Sequence, residues 1–159
     1  MLNNNTDIFA EHPGLTALIP TYLALQFARQ RVDSIFTGDG ADELFLGYES
    51  IVTLTSMLLS DGDEGLRSTF EEELPDLVEM ADVTYPFRLG KALGIEVKAP
   101  YLDLELADYA RKMPLEYKVR QENNSWWGKW ILRKAFEEDL PQEIIWKQKV
   151  AIDFGTAST

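Results

Sequence analysis

The 159-residue chain contains no cysteine and a single histidine, His12. Without cysteine there is no disulfide framework, thiolate metal site or cysteine nucleophile. One imidazole excludes a His-rich zinc site and makes a Ser-His-Asp triad improbable. Long apolar runs are missing too: Met57-Leu58-Leu59 is among the longest, against the ~18 residues a membrane helix needs. Met1 to Asp7 has neither the basic start nor the apolar core of a signal peptide, so the expected compartment is the cytoplasm, with no membrane partner.

Positive charge is scarce in the first half. Residues 1–80 hold 15 acids and 3 bases (Arg29, Arg31, Arg67), whereas residues 81–159 hold 12 of each, giving the net charge of −12. Such a chain repels a phosphate backbone, so nucleic acid is not an expected partner. The imbalance reads either as a solvated acidic face or as carboxylates for a divalent metal, opposed by bases for a polyphosphate. With 45% hydrophobic and 26% charged residues the chain is globular, and its length suits one domain, residues 1–159.

Pro20 suits the first turn of a helix running to Arg31, with Leu23 and Phe27 on its inner face. Val32 to Phe36 reads as a buried strand that enters Thr37-Gly38-Asp39-Gly40-Ala41-Asp42-Glu43, where glycines permit a tight turn. Helical spacing then runs from Leu44 to Ser60, and the acidic stretch Phe70 to Met80 reads as an exposed helix. Asp82 to Leu93 is helical and stops at Gly94, followed by a second strand at Ile95 to Lys98. Asp103 and Ser125 read as N-caps of two further helices, the second carrying Trp127, Trp130, Ile131 and Ala135 inward. The tail from Ile144 reads as irregular. The sum is a mostly α chain of roughly five helices with a residual short parallel sheet.

The strand-turn-helix at Ile35 to Tyr48 carries the chemistry. Asp42 and Glu43 lie in a first helical turn, whose unpaired N–H groups favour ionised carboxylates, and Asp39 can face the same crevice. Two readings stand: a Gly/Asp turn with capping acids, or carboxylates for Mg²⁺ carrying a nucleotide. The spacing of an EF-hand is absent.

Thr37-Gly38-Asp39-Gly40-Ala41-Asp42-Glu43-Leu44-Phe45-Leu46-Gly47-Tyr48 resembles the Ser-Gly-(Glu/Asp)-Gly-x-Asp-Glu-Leu-Phe-Gly-Gly-Tyr segment of the asparagine synthetase family. Gly94 to Asp103 is similar to the family's Gly-x-Glu-x-Arg-x-Pro-Phe-Leu-Asp, and Pro114-Leu115-Glu116-Tyr117-Lys118 to a further segment. Lys129 to Phe136 resembles Lys-x-x-Leu-Arg-x-x-Phe, and Pro141 to Lys149 resembles the Pro-x-x-(Ile/Val)-x-x-Arg-x-Lys stretch. The likeness covers residues 20–155 in order, as the latter part of an adenine-nucleotide α-hydrolase-like α/β synthetase domain.

The resemblance implies ATP and Mg²⁺ as cofactors, adenylation of an aspartate-like carboxylate, and attack by ammonia or another amine. By position it assigns Asp42 to the metal, and Thr37, Gly38 and Gly40 to the nucleotide. Asp39 would handle the amine and substrate, Lys149 would stabilise the reacting phosphoryl group, and Glu43, Tyr48 and Asp82 would lie near the substrate. The chain departs from the pattern at Asp39 (one methylene shorter than glutamate), Leu46 (for glycine) and Lys98 (for arginine). The family's pyrophosphate loop, Ser-Gly-Gly-x-Asp-Ser, does not occur, and the cysteine of its glutaminase domain is absent. Two expectations follow: a partial synthetase whose loop comes from a partner chain or was lost with a truncated N-terminus, or a non-catalytic module for binding or assembly. The unpaired edges of a short sheet also favour a homo-oligomer.

Overall fold

A computed structural model describes residues 16–79 and 84–150. In chain order the elements are α1 (Leu18–Ala28), β1 (Ser34–Phe36), α2 (Ala41–Phe45), α3 (Glu49–Asp61) and α4 (Glu64–Glu79). There follow α5 (Tyr85–Leu93), β2 (Glu96–Lys98), α6 (Leu104–Arg111) and α7 (Leu115–Lys118). The described chain ends with β3 (Arg120–Glu122), β4 (Ser125–Trp127), α8 (Trp130–Ala135) and α9 (Gln142–Ile145). The protein is mostly helical with a two-stranded parallel sheet, as expected of part of an α/β synthetase domain. Its described residues divide into two compact units: 16–38, 84–100 and 150 form one, and 39–79 with 101–149 the other.

In the first unit, β1 and β2 pair in parallel with Ser34 opposite Glu96 and Phe36 opposite Lys98. Leu18 and Leu25 of α1, Leu89 and Leu93 of α5, and Ile95 form the core, with Ile35 and Val97 packed against it. Gly90 lets α5 press onto the strand, since a Cβ there would stand 2.5 Å from Val97 Cγ2 and 2.8 Å from the Ile95 carbonyl oxygen. Gly94 caps α5 in the left-handed conformation (φ 71°), the role expected of it. The inner face of α1 differs from expectation: Leu18 and Leu25 are buried, while Leu23 and Phe27 are more than half exposed. Its sequence is apolar on every side, so spacing could not choose a face; the Arg31 guanidinium covers the Phe27 ring at 4.1 Å. Asp82, and with it the expected start of this unit's second helix, lies outside the described residues, as does His12.

In the second unit, Leu46, Phe70, Leu115 and Val119 form the core, with Ile51, Val52, Leu58, Leu59 and Trp126 around them. Four expectations need correction. The expected helix from Leu44 to Ser60 is two helices, because Leu46 takes the left-handed conformation (φ 56°) and ends α2. The expected exposed helix from Phe70 begins earlier, at Glu64, and buries Phe70. Ser125 caps no helix: Ser125–Trp127 is a strand in an antiparallel hairpin with Arg120–Glu122. The turn is Asn123-Asn124, both at positive φ (50° and 63°), as a two-residue turn matching strand twist requires. Finally, Ile144 and Ile145 belong to a short helix rather than an irregular tail. Asp103 does cap α6, accepting from the N–H groups of Glu105 and Leu106.

Candidate functional site: a carboxylate between two lysines

Gly40 opens α2 in the left-handed conformation (φ 91°), and a Cβ on it would stand 2.5 Å from Leu102 Cδ2 and 3.2 Å from the Tyr101 backbone. Its glycine is therefore explained by packing within this unit. The turn sets Asp42 in the first turn of α2, and the Gly47 N–H donates to the Asp42 carbonyl as the chain leaves the helix. Gly47 leaves room for the Asp42 carboxylate, since a Cβ there would fall 1.7 Å from its Oδ1 and 2.9 Å from Lys129 Cε.

Two lysines from distant parts of the chain close on this carboxylate. Lys149 Nζ donates to Asp42 Oδ2 at 2.7 Å, and Lys129 Nζ lies 2.8 Å from Oδ1. Side-chain exposures of 17% for Asp42, 25% for Lys129 and 34% for Lys149 give a shielded but open cluster. Burial pushes the Asp42 carboxyl up, yet its pairing with the Lys129 and Lys149 ammonium groups outweighs this and holds it below the ordinary carboxylate range. The cluster extends sideways: Lys149 Nζ sits 5.2 Å from the centroid of the Tyr48 ring, and the Tyr48 hydroxyl donates to Glu43 Oε1.

Backbone contacts fix both lysines. Lys129 takes the left-handed conformation ahead of α8, and its N–H donates to the Phe45 carbonyl at 2.8 Å. Gly128 allows this approach, since a Cβ there would stand 2.1 Å from the Leu46 carbonyl oxygen. Arg133 donates from Nε to the Gly128 carbonyl and from a terminal nitrogen to the carbonyls of Ile145 and Lys147, tying the segment that carries Lys149 to α8. Its guanidinium stands 4.9 Å over the Trp127 ring, and Trp127 meets Trp146 edge to face at 5.3 Å. A cavity of about 420 Å³ opens beside Gly47, Gly128 and Lys149.

The structure thus brings together Asp42, Lys149, Tyr48 and Glu43. Asp39 begins the same unit, and its carboxylate has no partner among the described residues. Thr37 and Gly38 belong to the first unit. There the Thr37 Oγ1 is buried without a hydrogen-bond partner, and a Cβ on Gly38 would meet nothing within 4 Å. Sequence reasoning missed Lys129 and Arg133 as parts of the site; the signal was their four-residue spacing directly after Gly128.

Magnesium takes one or two carboxylates and completes its octahedron with water and phosphate oxygens. Asp42 supplies one carboxylate, already neutralised by two ammonium groups, and among the described residues no three Asp, Glu or His side chains gather to hold a metal. The trio does not fit a resident Mg²⁺. Its net charge of +1, two lysines less one aspartate, suits an anion instead.

Comparison with known proteins decides the family. The profile described as asparagine synthase matches residues 6–64 and 59–159. The chain belongs to the asparagine synthase family. It is 33% identical over 146 residues to asparagine synthetase [glutamine-hydrolyzing] of Gallus gallus, covering 89% of this chain and 24% of that protein. The enzymes of the same name from Rattus norvegicus and Homo sapiens are 32% and 31% identical over the same coverage. The chain therefore spans about a quarter of the length of the asparagine synthetases it matches.

Proposed function

We propose that the chain carries the phosphate-handling part of an ATP-dependent amide-forming site, with Mg-ATP, an aspartate-like carboxylate and ammonia or another amine as substrates. The observation that carries this reading is the convergence of Lys129 and Lys149 on Asp42. A carboxylate is a poor acylating agent; attack of its oxygen on the α-phosphorus of ATP, with departure of pyrophosphate, gives it a leaving group. The amine then displaces AMP to form the amide.

In that sequence the two ammonium groups offset charge on the separating phosphates, and Asp42 holds them aimed beforehand, so little reorganisation is left for the reaction itself. Asp39, whose carboxylate has no partner among the described residues, would accept a proton from the amine. Tyr48, fixed by Glu43, forms the wall beside Lys149.

The test is ATP–pyrophosphate exchange with Mg²⁺ and aspartate, with and without a partner chain bearing Ser-Gly-Gly-x-Asp-Ser. Exchange that depends on the partner and is lost in Lys149→Ala is the expected result. No exchange with any such partner, together with no nucleotide binding, overturns the reading. A second reading, an assembly module without catalysis, is favoured by the two-stranded sheet, whose outer edges are unpaired among the described residues. Asp42→Asn separates the two: it slows pyrophosphate exchange under the first, because the lysines lose the carboxylate that aims them, and changes nothing under the second.

A further inference from the structure

Away from Asp42, the second unit holds a cavity of about 310 Å³ between α4, α6 and α7 whose charged lining is Arg67, Glu71, Arg111, Lys112 and Lys118. Four bases against one acid is unusual in a chain of net charge −12. Most of these charges are already matched. Arg67 pairs with Glu116 at 2.6 Å and with Glu71 at 3.0 Å, and Arg111 with Asp108 at 3.5 Å. Lys118 is the exception: it is only 4% exposed, and among the described residues it has neither an ion pair nor a hydrogen bond. Counting every acid named, the cluster keeps a surplus of one positive charge, four bases less three acids.

The stem of Lys118 is buried while its ammonium is not among the buried atoms left without a partner, so the charge reaches the cavity, where it is poorly solvated and open to a ligand. Burial lowers Lys118 to about 8, opposed by the Glu71 charge, so the ammonium is still present at neutral pH. Lys118 stands in the last turn of α7, where a cation suits the helix end, but that role does not need the charge carried at this depth. Met113 and Leu115 supply an apolar wall, so the cavity offers a charged floor and a greasy side.

We propose that this cavity is a second anion-binding site, distinct from the Asp42 cluster, in which Lys118 and Lys112 hold a small phosphate or carboxylate ligand. Arg67 is anchored by Glu71 and Glu116 and forms a fixed cationic wall rather than a mobile ligand. The inference does not depend on the amide-forming reading.

The test uses the full chain with inorganic phosphate in one arm and citrate in the other, read by amide shifts across residues 111–118. Saturable shifts in that segment are expected, and the tighter arm identifies phosphate or carboxylate as the ligand group. Lys118→Met should weaken binding by about tenfold or more, the cost of removing a charged hydrogen bond, with thermal stability unchanged or raised. Lys112→Glu lies on the exposed rim, leaves the core alone, and should weaken binding severalfold even if Lys118→Met fails to fold. Lys149→Ala should leave the shifts at 111–118 unchanged. Absence of shifts in both arms at millimolar probe, or undiminished affinity in both Lys118→Met and Lys112→Glu, overturns the proposal.

Discussion

At the scale of single residues, Leu46 sets backbone strain against burial on one side chain. It stands where the resembling motif has glycine, in a left-handed conformation (φ 56°, ψ 58°) that costs a non-glycine residue about 1–2 kcal/mol. Yet it is only 1% exposed, packed with Phe70, Leu115 and Val119. Leu46→Gly relieves the strain but removes a whole buried leucine, whose truncation even to alanine costs about 2–5 kcal/mol. Burial wins. The variant should be less stable than the wild type by roughly 1–3 kcal/mol in urea denaturation, and a stabilised variant would show that strain outweighs burial at this position.

Asp42 makes a pH prediction of definite sign. Its folded carboxyl lies below its unfolded value because Lys129 and Lys149 outweigh burial. The stability it contributes is thus fully present above the unfolded value and is lost as pH falls through the folded one. Wild type should lose stability in acid more steeply than Asp42→Asn, the two curves converging at the acid end. Parallel curves from pH 7 downwards would mean that the lysines do not hold the carboxylate. Asp42→Asn also leaves two ammonium groups unbalanced, so its stability should be lower at neutral pH by about 1–3 kcal/mol.

At the scale of elements, two glycines separate the site from the scaffold. A Cβ on Gly47 would strike the Asp42 carboxylate and the Lys129 side chain, both of which can move away; one on Gly128 would strike the Leu46 carbonyl and Val52, of which the backbone oxygen cannot. Gly47→Ala should therefore break the trio while costing less than about 1 kcal/mol of stability, and weaken pyrophosphate binding about tenfold. Gly128→Ala should cost about 1–3 kcal/mol as overpacking between α8 and the end of α2. Equal effects of both on stability would argue against this division.

The same elements show where the sequence could be read. The two parallel strands, the Gly94 and Asp103 caps and the Asp42 turn were legible because each has a local signature in glycine, proline or capping chemistry. The helix break at Leu46 was not, because leucine normally continues a helix and only the long-range packing of Phe70 and Leu115 holds it left-handed. The hairpin at Arg120–Trp127 was partly legible: Asn123-Asn124 is a turn pair, but Ser125 ahead of tryptophans also mimics a helix cap. Of the site, motif position gave Asp42 and Lys149. The meeting of Lys149 with Asp42 across 107 residues, and with it the part of Lys129, needed the fold.

For the whole molecule, the two-stranded sheet carries the last prediction. Parallel strands are normally covered on both faces and flanked by further strands, because each unpaired edge is a row of unsatisfied donors and acceptors. Here β1 and β2 pair only with each other among the described residues, and Phe36 at the end of β1 is 74% exposed. Lys98 approaches its ring at 5.9 Å but leaves most of it bare. The chain should therefore associate, with itself or with a partner that adds a strand, at micromolar concentration. Sedimentation of the isolated chain should show a species larger than a monomer, and Phe36→Lys, which places a charge where strand edges are commonly blocked, should shift it towards the monomer. Repulsion between copies of charge −12 opposes self-association, so raising the salt should favour the larger species. A monodisperse monomer at every salt concentration, in the absence and presence of a chain bearing the pyrophosphate loop, would remove the case for assembly through this sheet.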